Sequence, residues 1–230
     1  MKWVTEEPLD LDRYVIYRCV VGSRAFGLAE AGSDTDRRGI FLPPAARHWS
    51  LAGVPEQIER PETQETYWEL EKFLRLALKA NPTALECLYS PLVEEATPLA
   101  RELLAMRSAF LSRRVFQTYH GYAESQFRKL GQDLRTRGSI RWKHAMHLVR
   151  LLLAGVTILR DGAVPIDVGK HRERLLAVRR GELAWEEVDA WRHELLAALA
   201  AALPVSPLPD EPDVARVDAF LIRARRSMVE

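Results

Sequence analysis

The chain has 230 residues, of which 47% are hydrophobic and 28% charged, with a formal net charge of +1. Such a composition suits a globular protein with a substantial core: one large domain, or a small catalytic domain with an appendage. The near-neutral balance excludes nucleic-acid binding by overall charge and leaves only a local basic patch for it. The longest apolar stretches, such as LLLAGVTIL at 151–159, are too short to span a bilayer, so no membrane partner is expected.

In chain order, the opening MKWVTEEPLD has no apolar signal core. YVIYRCVV at 14–21 is a β-branched and aromatic run that ends at Gly22, and it predicts a buried strand. A short helix is expected over 23–29 from Ser23, then a turn at Gly32-Ser33 and a second strand over 34–42, stopped by Pro43 and Pro44. The proline-rich stretch 43–62 predicts an irregular connection. TYWEL at 66–70 predicts a third strand, followed by a helix through KFLRLALKA that Asn81 and Pro82 break. From about residue 83 the pattern is helical. Thr97-Pro98 marks a helix start, long helices are expected near 110–131, 139–160 and 184–203, and a last one over 213–227. Cys19 lies in the apolar strand run and Cys87 in a helix, which predicts reduced core thiols in a cytoplasmic protein. The fold expected is α+β: a sheet-containing core over 1–95 with an antiparallel or mixed sheet, then a helical region over 96–230.

The chemistry concentrates in VGSRAFGLAEAGSDTDRRGIFL, residues 21–42. A strand delivers the chain to Gly22, where the missing side chain lets backbone approach a ligand. Ser23 adds a hydroxyl and opens a helix whose free N–H groups favour a phosphate. Asp34 and Asp36, two apart on the expected strand, project from one face. Their mutual repulsion is relieved by a bound Mg²⁺, which prefers a few carboxylates plus substrate phosphates. A Gly-Ser or an Asp-x-Asp alone is ordinarily a turn or solvated charge. In the order strand, Gly-Ser, helix, turn, Asp-x-Asp, the combination points to phosphoryl or nucleotidyl transfer.

This segment resembles the signature of the DNA polymerase β-like nucleotidyltransferases, and its finer pattern is similar to the YcgL-type, RNA-repair-associated polymerase β family. The resemblance continues in YWELEKFLRLALKANPTALECLYSP (67–91), KHAMHLVRLLLAG (143–155) and LLAVRRGELAWEEV (175–188), so it covers most of the chain in order. It implies that Gly22 and Ser23 hold a triphosphate and that Asp34 and Asp36 bind Mg²⁺ or Mn²⁺. A third carboxylate on a later strand would complete the site, with Glu62, Glu65 and Glu69 as candidates and Glu65 best placed. The implied partners are a nucleoside triphosphate and a hydroxyl-bearing acceptor, such as an RNA 3′ end.

Arg24 falls in the first turn after Ser23, where a phosphate would dock. Between 128 and 150 there are seven Lys and Arg residues and a single acid, Asp133. Within this stretch Lys143, His147 and Arg150 are spaced i, i+4, i+7 and share one face of an otherwise apolar helix. That stripe either meets water or lines the cleft that holds Asp34 and Asp36; the cleft is expected. Tyr119, Tyr122, Phe127 and Trp142 are candidates to stack on bases, although their helical spacing also suits a core. Two rival readings stand beside RNA-directed transfer: AMP transfer to a protein or small molecule, and a catalytically silent nucleotide- or RNA-binding module.

Overall fold

The computed structural model describes residues 9–229. A short helix α1 (Leu11–Tyr14) leads into β1 (Val15–Val21). The single turn α2 (Gly22–Ala25) and a loop carry the chain to β2 (Asp36–Phe41). The proline-rich connection holds α3 (Ala45–Trp49) and an edge strand β3 (Gln57–Arg60). After a 3₁₀ turn comes β4 (Glu65–Glu69), then α4 (Leu70–Leu78), α5 (Pro82–Tyr89) and β5 (Val93–Ala96). The rest is helical: α6 (Pro98–Ala105), α7 (Arg114–Arg137), α8 (Trp142–Asp161), α9 (Arg172–Arg180), α10 (Trp185–Ala202) and α11 (Val214–Arg226). The fold class is α+β, as the composition and patterning imply.

The five strands form one mixed sheet in the order β3-β4-β2-β1-β5, in which β2 and β4 run parallel and the other pairs antiparallel. The expected irregular connection therefore contains a strand and a short helix. QIER gave no strand signal because it lies at the sheet edge, alternating exposed with half-buried residues. Strand β5 was likewise hidden in a stretch read as helical. It is short and polar, and it is placed by pairing with β1.

The break at Asn81-Pro82 is also a start. The Asn81 side chain accepts from Ala84 N at 3.1 Å and Pro82 occupies the first helical position, where a missing N–H costs nothing. Thr97 and Asp213 cap α6 and α11 in the same way.

One face of the sheet, with Cys19, Ile40 and Trp68, packs against helices in a cluster that runs without interruption through Leu74, Leu85, Leu152 and Phe220. Helix α8 is apolar on nearly every side and is buried against α7, α9 and α10. The other face carries a smaller cluster of Leu11, Val15, Phe41 and Tyr67. Gly39 is needed there, because a Cβ would meet the Tyr67 ring at 2.4 Å. The Tyr17 hydroxyl donates to the Cys87 carbonyl at 2.7 Å, which fastens β1 to α5, and Cys19 and Cys87 are buried free thiols. Among the described residues no helix is long and apolar enough to cross a membrane.

Candidate active site

Strand β1 ends at Val21, and Gly22 turns the chain at φ +70°, a conformation that disfavours any residue with a Cβ. A Cβ there would also lie 2.4 Å from Asp36 Oδ2, so the glycine lets the carboxylate sit against the backbone. Val21 is the register partner of Asp36 across β1 and β2, which fixes Asp36 on the face that packs against helices.

A cleft of about 390 Å³ opens at this point. Gly22, Ser23, Asp34, Asp36, Lys143 and His147 all line it, so residues more than a hundred positions apart meet there. The strand begins at Asp36 rather than at residue 34, so Asp34 stands on the preceding loop, exposed to solvent. Lys143 is exposed, and His147 is half-buried one turn further along α8. Burial holds the His147 imidazole down at a pKa of about 4, with the nearby charges of Arg150 and Lys143 pushing the same way. At neutral pH His147 is therefore an uncharged donor and acceptor, and the charge facing the aspartates comes from its neighbours.

Three of the expected site residues lie outside the lining of this cleft. Arg24 does not line the cleft. Its guanidinium reaches back along the loop, donating from Nη2 to Ser33 O at 2.8 Å and from Nε to Asp34 O at 3.2 Å. Arg24 thus holds the loop that presents Asp34. Arg150 does not line this cleft either: it is buried, paired with Glu86 at 2.7 Å and stacked 3.7 Å from the Phe26 ring centroid. An Arg neutralised in this way walls a neighbouring chamber and does not bring a free charge.

Glu65 is the third residue outside the cleft. In the parallel pairing of β2 with β4 it stands beside Arg37, and residues in register share a face, so Glu65 points away from Asp36. Its carboxylate accepts from the Tyr67 hydroxyl at 3.2 Å and lies 3.6 Å from Arg60. Glu62 is exposed on the 3₁₀ turn. Glu69 is buried as the cap of α4, accepting from Glu71 N at 2.7 Å, with burial raising its pKa. The residue of this segment that does line the cleft is Gln64, at φ +56°, whose amide carries no charge.

Sequence reasoning missed Arg179. It reaches the cleft from the end of α9 and lies 3.2 Å from Glu30, another cleft residue. The Arg179-Arg180 pair at the end of a short, mostly charged helix was a weak signal, since basic residues are common in last turns. Arg172 and Arg180 fix the same junction, through Gly27 O at 2.9 Å and Glu30 at 2.5 Å.

The donor set can be tested against a divalent ion. Among the described residues no three His, Cys, Asp or Glu side chains converge as a metal-binding group. Asp34 and Asp36 on one cleft beside Ser23 instead fit an ion held jointly by two carboxylates and the phosphates of a ligand, the mode Mg²⁺ adopts with nucleotides.

Comparison with known proteins places the chain in a family. A protein of Bacillus subtilis (strain 168), the uncharacterized protein YcgL, is 31% identical over 155 residues, covering 66% of this chain and 58% of that protein, so less than two thirds of that relative is spanned. No solved structure matches. The model of the RlaP family, described as the RNA repair pathway DNA polymerase beta family, matches residues 5–223. Matched over almost its whole length, with Gly22-Ser23 and Asp34-x-Asp36 brought to one cleft, this chain belongs to the RNA repair pathway DNA polymerase β family.

Proposed function

We propose that the protein transfers a nucleotidyl group from a nucleoside triphosphate to a hydroxyl of RNA. The observation that carries this reading is the single cleft in which Gly22, Ser23, Asp34 and Asp36 face Lys143 and Arg179. Carboxylates on one wall and cations on the other suit a triphosphate bound with a divalent ion. Ser23 and the Gly22 backbone hold the phosphates, and Lys143 balances the charge of the departing end, beside Arg179 in its pair with Glu30. Asp34 and Asp36 hold Mg²⁺ or Mn²⁺ together with the triphosphate, and the ion supplies neutralisation of the developing charge. Neutral His147 donates a hydrogen bond to a phosphate or sugar oxygen without adding charge. The acceptor oxygen forms a bond to the α-phosphorus as the α–β bridging P–O bond breaks. Pyrophosphate leaves with that electron pair, and the hydroxyl proton passes to solvent. The exposed basic residues Arg128, Lys129 and Arg141, beside the cleft in sequence, supply contacts for an RNA backbone.

One observation favours a second reading, a nucleotide-binding module without transfer: none of Glu62, Glu65 and Glu69 lines the cleft. Incubation with each labelled triphosphate, Mg²⁺ or Mn²⁺ and total RNA separates the two. Label appearing in RNA, and lost in Asp36→Asn with the fold intact, supports transfer. Nucleotide binding without any labelled product supports the silent module, and label on protein or a small molecule redirects the acceptor.

A further inference from the structure

A second chamber of about 410 Å³ adjoins the cleft. The two share Gly22, Asp36 and His147 and, among the described residues, no other lining residue. Asp36 therefore stands between two compartments of different chemistry. The first has Lys143 and Arg179. The second is walled by Phe26, Leu148 and Leu151, with Tyr122 exposed, Asn81 and Thr83 adding polar groups, the Arg150–Glu86 pair buried, and Arg38 held to the backbone carbonyls of Arg37 and Gln64.

We propose that this second chamber seats the terminal nucleoside of the RNA acceptor and directs its free hydroxyl to Asp36. The proposal rests on the nucleotidyl-transfer reading and specifies where its acceptor binds. In-line displacement puts the attacking oxygen and the leaving pyrophosphate on opposite sides of the phosphorus. Ser23 and the exposed Lys143 line only the first compartment, which gives that side of Asp36 to the triphosphate and its departing pyrophosphate, and the acceptor belongs on the other. The chamber has the size and the mixed apolar and polar lining of a small-ligand pocket. Its buried guanidinium, Arg150, is already neutralised by Glu86, so its deep wall suits an uncharged base or sugar better than a phosphate.

Tyr122 is 47% exposed on α7, leaving its ring free to stack on a base. The Asn81 side-chain oxygen is engaged by Ala84 N, which leaves the amide NH₂ to donate to a base or ribose. Lys129 is exposed two turns beyond Tyr122 on α7, and the i, i+7 spacing puts it on the same side, where the phosphates of the incoming strand would pass.

The test compares wild type, Tyr122→Ala, Tyr122→Phe and Lys129→Ala in two assays. The first is steady-state transfer to a short RNA with free 2′ and 3′ hydroxyls. The second is equilibrium binding of the same RNA, by fluorescence anisotropy at two salt concentrations. Tyr122→Ala is expected to raise the KM and Kd for RNA by roughly tenfold or more, leaving the KM for the triphosphate in place, and Tyr122→Phe to restore both. Lys129→Ala is expected to weaken RNA binding more at low salt than at high. A changed triphosphate KM with an unchanged RNA Kd overturns the assignment and gives the chamber to the incoming nucleotide. An RNA Kd indifferent to Tyr122→Ala also overturns it. If wild type transfers no label, the transfer reading fails by itself. The binding assay still decides the chamber, since RNA affinity lost in Tyr122→Ala and regained in Tyr122→Phe upholds it.

Discussion

Glu65 and Asp36 lie on neighbouring strands yet serve opposite faces, and the difference is one residue of register. Glu65→Gln is therefore expected to keep transfer within about twofold of wild type and to lower stability by roughly 1 kcal/mol or less, because an amide oxygen still accepts from Tyr67. Loss of transfer in a folded Glu65→Gln protein, measured beside Asp36→Asn, would restore Glu65 to the site. His147 makes a second prediction at this scale. Its folded pKa of about 4 lies below its unfolded value, so below about pH 6.5 the unfolded chain takes up a proton that the folded chain refuses. Its contribution is fully present above that pH and is lost as pH falls towards 4. An NMR titration should show the His147 ring uncharged at pH 6, and a midpoint near 6.5 would refute the buried neutral assignment.

The loop between α2 and β2 is closed by its own hydrogen bonds and by Arg24. Ser33 Oγ accepts from Glu30 N at 2.9 Å, and the Arg24 guanidinium grips the Ser33 and Asp34 carbonyls. Two carbonyls gripped by one planar fork make a clamp that an ammonium cannot reproduce. Arg24→Ala is expected to lower kcat by about ten- to a hundredfold through displacement of Asp34, and Arg24→Lys to rescue little of it. A direct phosphate contact would behave differently, raising the KM for the triphosphate in a manner that fades with salt. Steady-state kinetics at two ionic strengths distinguishes the outcomes.

For the molecule as a whole, the sheet and the helical half share a core. Ile40 and Trp68 belong to the same cluster as Leu152, Leu199 and Phe220. Arg225 on α11 pairs with Glu71 at 2.7 Å, and Arg172 at the start of α9 holds the Gly27 carbonyl, so the helical half is tied to the site-bearing half at two separate places. The full chain is therefore expected to unfold in one transition, with calorimetric and van't Hoff enthalpies equal. Residues 1–95 alone, with that apolar face uncovered, are expected to show no cooperative unfolding. Two resolved transitions, or a stable 1–95 fragment, would show the halves to be independent domains.

The sequence by itself determined the elements whose signals are local. The apolar run before Gly22, the Asn81 and Thr97 caps and the periodic helices α7, α8 and α10 are each specified within a few turns of chain, by propensity, capping and amphipathic spacing. The Gly22-Ser23 and Asp34-x-Asp36 pair was legible for the same reason, and the stripe of Lys143 and His147 followed from helical period. Tertiary structure decided whatever depends on a partner far away in sequence. The polar strands β3 and β5 exist because β4 and β1 supply their hydrogen bonds. The face taken by Glu65 follows from register, which a single strand does not encode. What each arginine meets was decided by what folding brought beside it: backbone carbonyls for Arg24, Glu86 for Arg150, and Glu30 at the cleft for Arg179. All three carry the same charge and much the same reach, so only the folded surroundings distinguish them.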